Sequence, residues 1–142
     1  MKIFGDDGFR DIFGSNLLNQ KFLNQFFNSL NFLLENKKIK KIVIGYDNRI
    51  SKKYIINIIL KNIKSVKKIL LLKNPIPTPG LQYLSKKEKC FGIMITASHF
   101  PAKYNGFKFF INGSKLMKKD ELYIEKKIFQ KKNIILDRKI NI

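Results

Sequence analysis

Three compact apolar runs constrain this chain most: Lys41 to Tyr46 (KIVIGY), Lys68 to Leu72 (KILLL) and Phe91 to Ile95 (FGIMI), each set off by a stretch long enough for a helix. Short unbroken runs rich in Ile, Val and Leu read as strands buried on both faces. Between Leu17 and Leu34 the apolar residues Leu18, Phe22, Leu23, Phe26, Phe27, Leu30 and Leu34 recur at helical spacing, which predicts an amphipathic helix. Ser51 stands where a side chain could N-cap a second helix running through Ile63. Pro75, Pro77 and Pro79 interrupt regular structure after the second run, leaving a loop and a short helix near Leu81 to Leu84.

Phe107 to Ile111 (FKFFI) predicts a fourth strand, turned by Asn112 and Gly113, and Asp120 to Gln130 a last helix. Met1 to Phe4 is a candidate short strand, and the Lys-rich stretch from Lys131 a fraying end or the start of a further connection. Strands alternating with helices call for an α/β fold: a mixed, mainly parallel sheet with helices on both faces. In such a sheet the ligand site lies in loops beyond the carboxyl ends of the strands. At 142 residues, with no repeat and no Gly/Ser linker, residues 1–142 are expected to form one such domain.

Composition then narrows the function classes. The net charge of +19 brings polyanions into view, but the lysines come in pairs along the whole chain, together with abundant Ile, Asn and Phe. All four residue types have A/T-rich codons, so drift in base composition yields the same excess. Basic charge alone gives non-specific attraction, and no nucleic-acid-binding module motif accompanies it. A single cysteine, Cys90, cannot form an internal disulfide, and one histidine leaves no Cys/His cluster for zinc. The opening MKIFGDDGFR lacks an apolar signal core and no apolar run is long enough to span a bilayer, so the expectation is a cytoplasmic chain with no membrane partner.

Thr96 to Pro101 (TASHFP) puts a small residue, a hydroxyl, an imidazole and a proline directly after a buried strand. A serine in such a loop can be activated by a base, carry a phosphate, or hydrogen-bond the turn. The single imidazole argues against a hydrolase triad, because His99 adjoins Ser98 and neighbouring side chains point apart. Lys108, within Tyr104 to Lys108 (YNGFK), could return over this loop if the chain doubled back as a hairpin.

Several segments read together carry more. FGDDGFR (Phe4 to Arg10) resembles the opening FGTDGIRG of phosphoglucosamine mutases in the α-D-phosphohexomutase superfamily. In the same order, IGYDNRIS (Ile44 to Ser51) resembles IGxDTRxS, and PIPTPGLQYL (Pro75 to Leu84) resembles PxPTPAxAYL. GIMITASHFPAKYNGFKFFINGSKL (Gly92 to Leu116) resembles GIxISASHNPxxxNGIKFFxxxGxKL.

The resemblance implies that Ser98 is a phosphoserine that donates to glucosamine 6-phosphate, giving a bound 1,6-bisphosphate and then glucosamine 1-phosphate. By position it makes Arg10 and Lys108 the cations that offset the phosphoryl charge, with Lys108 also a proton shuttle, and puts His99 beside the phosphate. Arg49, Thr96, Asn105 and Gly106 fall in the phosphate-binding set, with Arg49 also suited to orient the loop and Asn105 and Gly106 to shape the turn that aims Lys108. Mg²⁺ is implied on the phosphate of Ser98, its carboxylate ligands coming from a DGDxDR loop in one of three further domains that are expected to be missing here. A separately encoded remainder would then be a partner. A non-catalytic remnant of the same fold, or a basic nucleic-acid module, are the alternatives. Four positions depart from the family pattern: Asp6, Asp11, Tyr46 and Phe100.

Overall fold

The computed structural model describes residues 2–140, with side-chain surroundings given through residue 130. The strands are β1 (Phe9–Ile12), β2 (Lys41–Tyr46), β3 (Lys68–Leu71), β4 (Phe91–Ile95), β5 (Tyr104–Ile111) and β6 (Ser114–Lys115). The helices are α1 (Gln20–Asn36), α2 (Lys52–Asn62), α3 (Thr78–Lys87) and α4 (Lys118–Ile140). They build one mixed sheet in the order β1-β5-β4-β2-β3, with β6 paired to β5. β2 runs parallel to both β3 and β4, while β5 is antiparallel to β4, β1 and β6.

Period-two alternation sorts each strand between the two faces. Ile42, Ile44, Ile93, Ile95, Phe107 and Phe109 pack with the apolar sides of α1, α2 and α4 in the larger core. Phenylalanines fill it: the Phe9 ring lies 5.0 Å from Phe26 and 5.2 Å from Phe107, centre to centre, in the tilted and edge-on arrangements aromatic quadrupoles favour. Val43, Met94 and Phe110 face the other way, onto Leu81 and Cys90. β3 and β4 lie on opposite sides of β2, so crossovers of one hand put α2 and α3 on opposite faces. Close packing of α3 relies on Gly45 and Gly92, where a Cβ would press into Leu81.

Several boundaries differ from the sequence-based expectation. The N-terminal strand is Phe9–Ile12, while residues 2–4 are irregular and tied to α4 by Glu125, whose Oε1 accepts from the Ile3 amide at 2.9 Å. Met1 lies outside the described residues. α3 begins at Thr78 with Pro79 in its first turn, where a missing N–H leaves no intrahelical bond unmade. Ser51 holds the N-cap position of α2 without making a side-chain cap bond. Its Oγ instead accepts from Asn105 Nδ2 at 2.8 Å. The backbone of α4 continues past Lys131 to Ile140, and residues 141 and 142 lie outside the described residues. No helix among the described residues is long and apolar enough to cross a membrane.

Candidate active site

From the carboxyl ends of the neighbouring strands β2 and β4 the chain departs in opposite directions along the sheet, toward β3 and toward β5. That divergence opens a crevice, the usual ligand position of an open α/β sheet. Into it project the loop after β2 (Asp47 to Ser51) and the loop after β4 (Thr96 to Lys103).

Asp47 joins the two loops. Its Oδ2 accepts from the Thr96 hydroxyl at 2.8 Å and from Arg49 Nε at 3.3 Å, and the Thr96 oxygen in turn accepts from the Ser98 amide at 3.0 Å. Arg49 donates through Nη1 to the carbonyls of Pro101 (2.7 Å) and Tyr104 (3.0 Å), and through Nη2 to those of Ser98 (3.1 Å) and Phe100 (2.8 Å). All five guanidinium N–H groups are therefore engaged within the chain. Of the two roles the sequence reading gave Arg49, phosphate binding and orienting the loop, its contacts in this structure are those of the second: they hold the serine loop.

So held, Ser98 takes a left-handed backbone conformation, φ +54°, and is exposed to solvent. A non-glycine residue in that region costs on the order of 1–3 kcal/mol and persists only where its surroundings enforce it. Here the enforcing groups are Thr96 and Arg49. Ser98 shares a cavity of about 390 Å³ with Thr96, Arg10, Lys108, Asp6 and Asp7. The hairpin that could return Lys108 over the loop is present: β5 doubles back on β4, pairing Lys108 with Met94.

Lys108 Nζ lies 3.3 Å from Asp7 Oδ2, which also receives Lys115 at 3.5 Å. Arg10 is set beside β5 by the pairing of Arg10 with Gly106, where a Cβ would collide with the Phe9 carbonyl and with Arg10 itself. The Arg10 guanidinium carbon sits 4.0 Å from the centre of the Phe100 ring.

Asn105 is wholly buried and does not line the cavity. Its Oδ1 accepts from the Gly106 amide at 2.9 Å while its Nδ2 reaches Ser51, so it fixes the start of β5, the turn-shaping place the sequence reading gave it beside phosphate binding. Gly106 likewise acts as the narrow point where β1 meets β5. His99 is exposed and lies outside the cavity lining.

The four departures have separate explanations. Asp11 accepts from the amides of Ile12 (2.8 Å) and Leu17 (3.2 Å), so its charge is spent on the turn before α1. Tyr46 is buried and donates its hydroxyl to the Leu72 carbonyl at 2.8 Å. Asp6 does line the cavity, and Phe100 lies under Arg10. Asp47 and Asp7, which pair with Thr96, Arg49 and Lys108, were not among the sequence-derived site residues, although each falls inside a quoted segment and precedes a basic residue closely in sequence.

The fit to Mg²⁺ is poor among these residues. A hard cation asks for several oxygens in near-octahedral array. No group of three metal-ligating side chains occurs among the described residues, and of the two carboxylates in the cavity Asp7 already serves two lysines.

Comparisons with known proteins show the family and the fold. The family described as phosphoglucomutase/phosphomannomutase, alpha/beta/alpha domain I, matches residues 1–134. A phosphoglucosamine mutase from a Nitratiruptor species is 35% identical over 136 residues, 94% of this chain and 31% of that protein. Another from Pseudoalteromonas atlantica is 40% identical over 127 residues, 87% of this chain and 28% of its own length. Among solved structures, the open form of pp63/parafusin, a phosphoglucomutase from Paramecium, superposes with a TM-score of 0.78 at 21% identity, covering 89% of this chain and 25% of that one. A phosphoglucomutase/phosphomannomutase family protein from Burkholderia thailandensis gives 0.75 at 19% identity, covering 92% of this chain and 30% of its own. The chain thus spans under a third of the length of these relatives.

Proposed function

The chain belongs to the phosphoglucomutase/phosphomannomutase family through its alpha/beta/alpha domain I, and on that premise we propose that it supplies the phosphoserine loop that interconverts glucosamine 6-phosphate and glucosamine 1-phosphate. The observation that carries this reading is the left-handed, exposed Ser98 facing one cavity with Arg10 and Lys108. The amino sugar is suggested by the relatives named phosphoglucosamine mutase.

The sugar C1 hydroxyl attacks the phosphorus on Ser98; a P–O1 bond forms and the P–Oγ bond breaks. Lys108 gives a proton to the leaving Oγ and takes one from the attacking hydroxyl. The bisphosphate turns over and returns its 6-phosphate to Ser98, releasing the 1-phosphate. Protein groups contribute chiefly position and countercharge to such a transfer. Arg10 and Lys108 offset the phosphoryl charge, while Asp47, Thr96 and Arg49 hold the Ser98 backbone in place. No step is assigned to Mg²⁺ on these residues. The sugar's remaining contacts belong to the part of the relatives this chain does not span, in the same polypeptide or in a partner.

The test is intact mass and phosphosite mapping of the chain purified from its native cell and, separately, co-expressed with any neighbouring DGDxDR-containing chain. Stoichiometric phosphate on Ser98 is expected. An unmodified Ser98 in both preparations would replace this reading with a non-catalytic domain of the same fold.

A further inference from the structure

Arg10 has a partner that the site's countercharge role does not require. Its guanidinium lies 4.0 Å from the centre of the Phe100 ring. That ring is 39% exposed, so the contact forms at the surface and not in the core, on the guanidinium of a residue that itself lines the cavity. Phe100 is itself rigidly held: its amide donates to Ala97 O at 3.1 Å, its carbonyl accepts from Arg49 at 2.8 Å, and its ring meets Tyr104 edge-on at 5.0 Å. The geometry therefore makes it a fixed platform. An arginine stacked on an aromatic face keeps its N–H edge free, and that edge matches the oxygens of a phosphate two at a time.

We propose that Phe100 is a positioning residue that presents Arg10 to a phosphate dianion in the cavity. This rests on the phosphoryl-transfer reading above. Stacking removes rotamer freedom from Arg10 before the ligand arrives, so less is lost on binding. The asparagine of the family pattern offers no such face. The phosphate could be that of the sugar or the one carried on Ser98, and both present the same dianion.

The experiment uses the full chain labelled with ¹⁵N, reading the Arg10 Nε–H signal during titration with inorganic phosphate and, in parallel, glucosamine 6-phosphate. Phe100→Leu should weaken phosphate binding about three- to tenfold, the range of a partly exposed cation–π contact, and broaden the motion of Arg10 Nε in the free protein. Phe100→Tyr should restore both, which a purely structural role for a ring of that volume would not require of the arginine signal. In an Arg10→Ala background Phe100→Leu should have no further effect on binding. Tighter binding of glucosamine 6-phosphate than of inorganic phosphate assigns the Arg10 subsite to the sugar's phosphate, and equal binding with the same Phe100→Leu loss shows that the subsite reads the phosphate dianion alone. Wild-type affinity in Phe100→Leu, with loss in Arg10→Ala, overturns the platform and leaves the proposed function standing. Failure of the wild type to bind either phosphate overturns both.

Discussion

An Nη2 proton of Arg49 is donated to the carbonyl oxygen of Ser98 at 3.1 Å, across 49 positions of sequence. The same guanidinium closes on Phe100, Pro101 and Tyr104, so one side chain from the loop after β2 fixes the loop after β4. The exposed serine is thereby held by a residue whose five N–H groups all go to oxygens of this chain.

Arg49→Lys keeps the charge but loses the planar fork, and a single ammonium cannot serve four carbonyls and Asp47 together. The loop should open more readily, with amide exchange at Phe100 and Tyr104 rising about tenfold or more, since each lost charge-assisted bond is worth about 1.5–3 kcal/mol. Global stability should fall less than this local protection. Hydrogen exchange followed by mass spectrometry reads both.

Asp7 is the countercharge of Lys108 in the free chain. Asp7→Asn removes a carboxylate from the cavity and leaves Lys108 to a bound anion, so inorganic phosphate should bind about three- to tenfold tighter at low salt. The gain should shrink as ionic strength rises. Calorimetric titration at two salt concentrations checks the sign and the screening.

Gly106→Ala should destabilise the chain by about 3 kcal/mol, the upper end for overpacking. The added Cβ meets backbone of β1, the Phe9 carbonyl and Arg10 Cα, and no rotamer change relieves that. Urea unfolding gives the value. Gly14→Ala is a useful contrast, for a Cβ there has open space and only its φ of +92° stands against it.

Burial holds Glu121 above the ordinary carboxylate value, against the pull of Lys118 and Lys2 and aided by the neighbouring charges of Glu125 and Asp7. A carboxyl whose folded pKa exceeds its unfolded one adds stability below the unfolded value and loses it as pH rises through the folded one. Glu121→Gln should accordingly be more stable than the wild type at neutral pH, and the difference should vanish as pH falls below the carboxylate range. Urea midpoints measured over that pH span decide it.

The buried strands β2 and β4 and the helix α1 were legible because their signal is local: runs of Ile, Leu and Phe whose periodicity states their burial. β3 forms where its apolar run predicts a strand, but it is not buried on both faces: it is the edge of the sheet, with Leu71 42% exposed. β1 was not legible, since FRDI is a four-residue edge strand that among the described residues pairs with β5 alone, and half of it is charged. β5 begins at Tyr104, earlier than its apolar run, because Asn105 and Gly106 read as turn residues until β1 is laid beside them. The serine loop could be named from its order among the quoted segments. What Arg49 and Lys108 touch could not.

By itself, then, the sequence determined the α/β class and the central strands by local patterning, and by motif order it pointed to Ser98, Arg10 and Lys108, which line one cavity. Tertiary structure alone decided that Arg49 is spent on carbonyls, that Asn105 is sealed beside Ser51, that Lys108 meets Asp7 and that Phe100 carries Arg10. These are contacts between residues far apart in the chain or on different strands, and their geometry exists only once the sheet has brought β1, β2, β4 and β5 to one edge of the crevice.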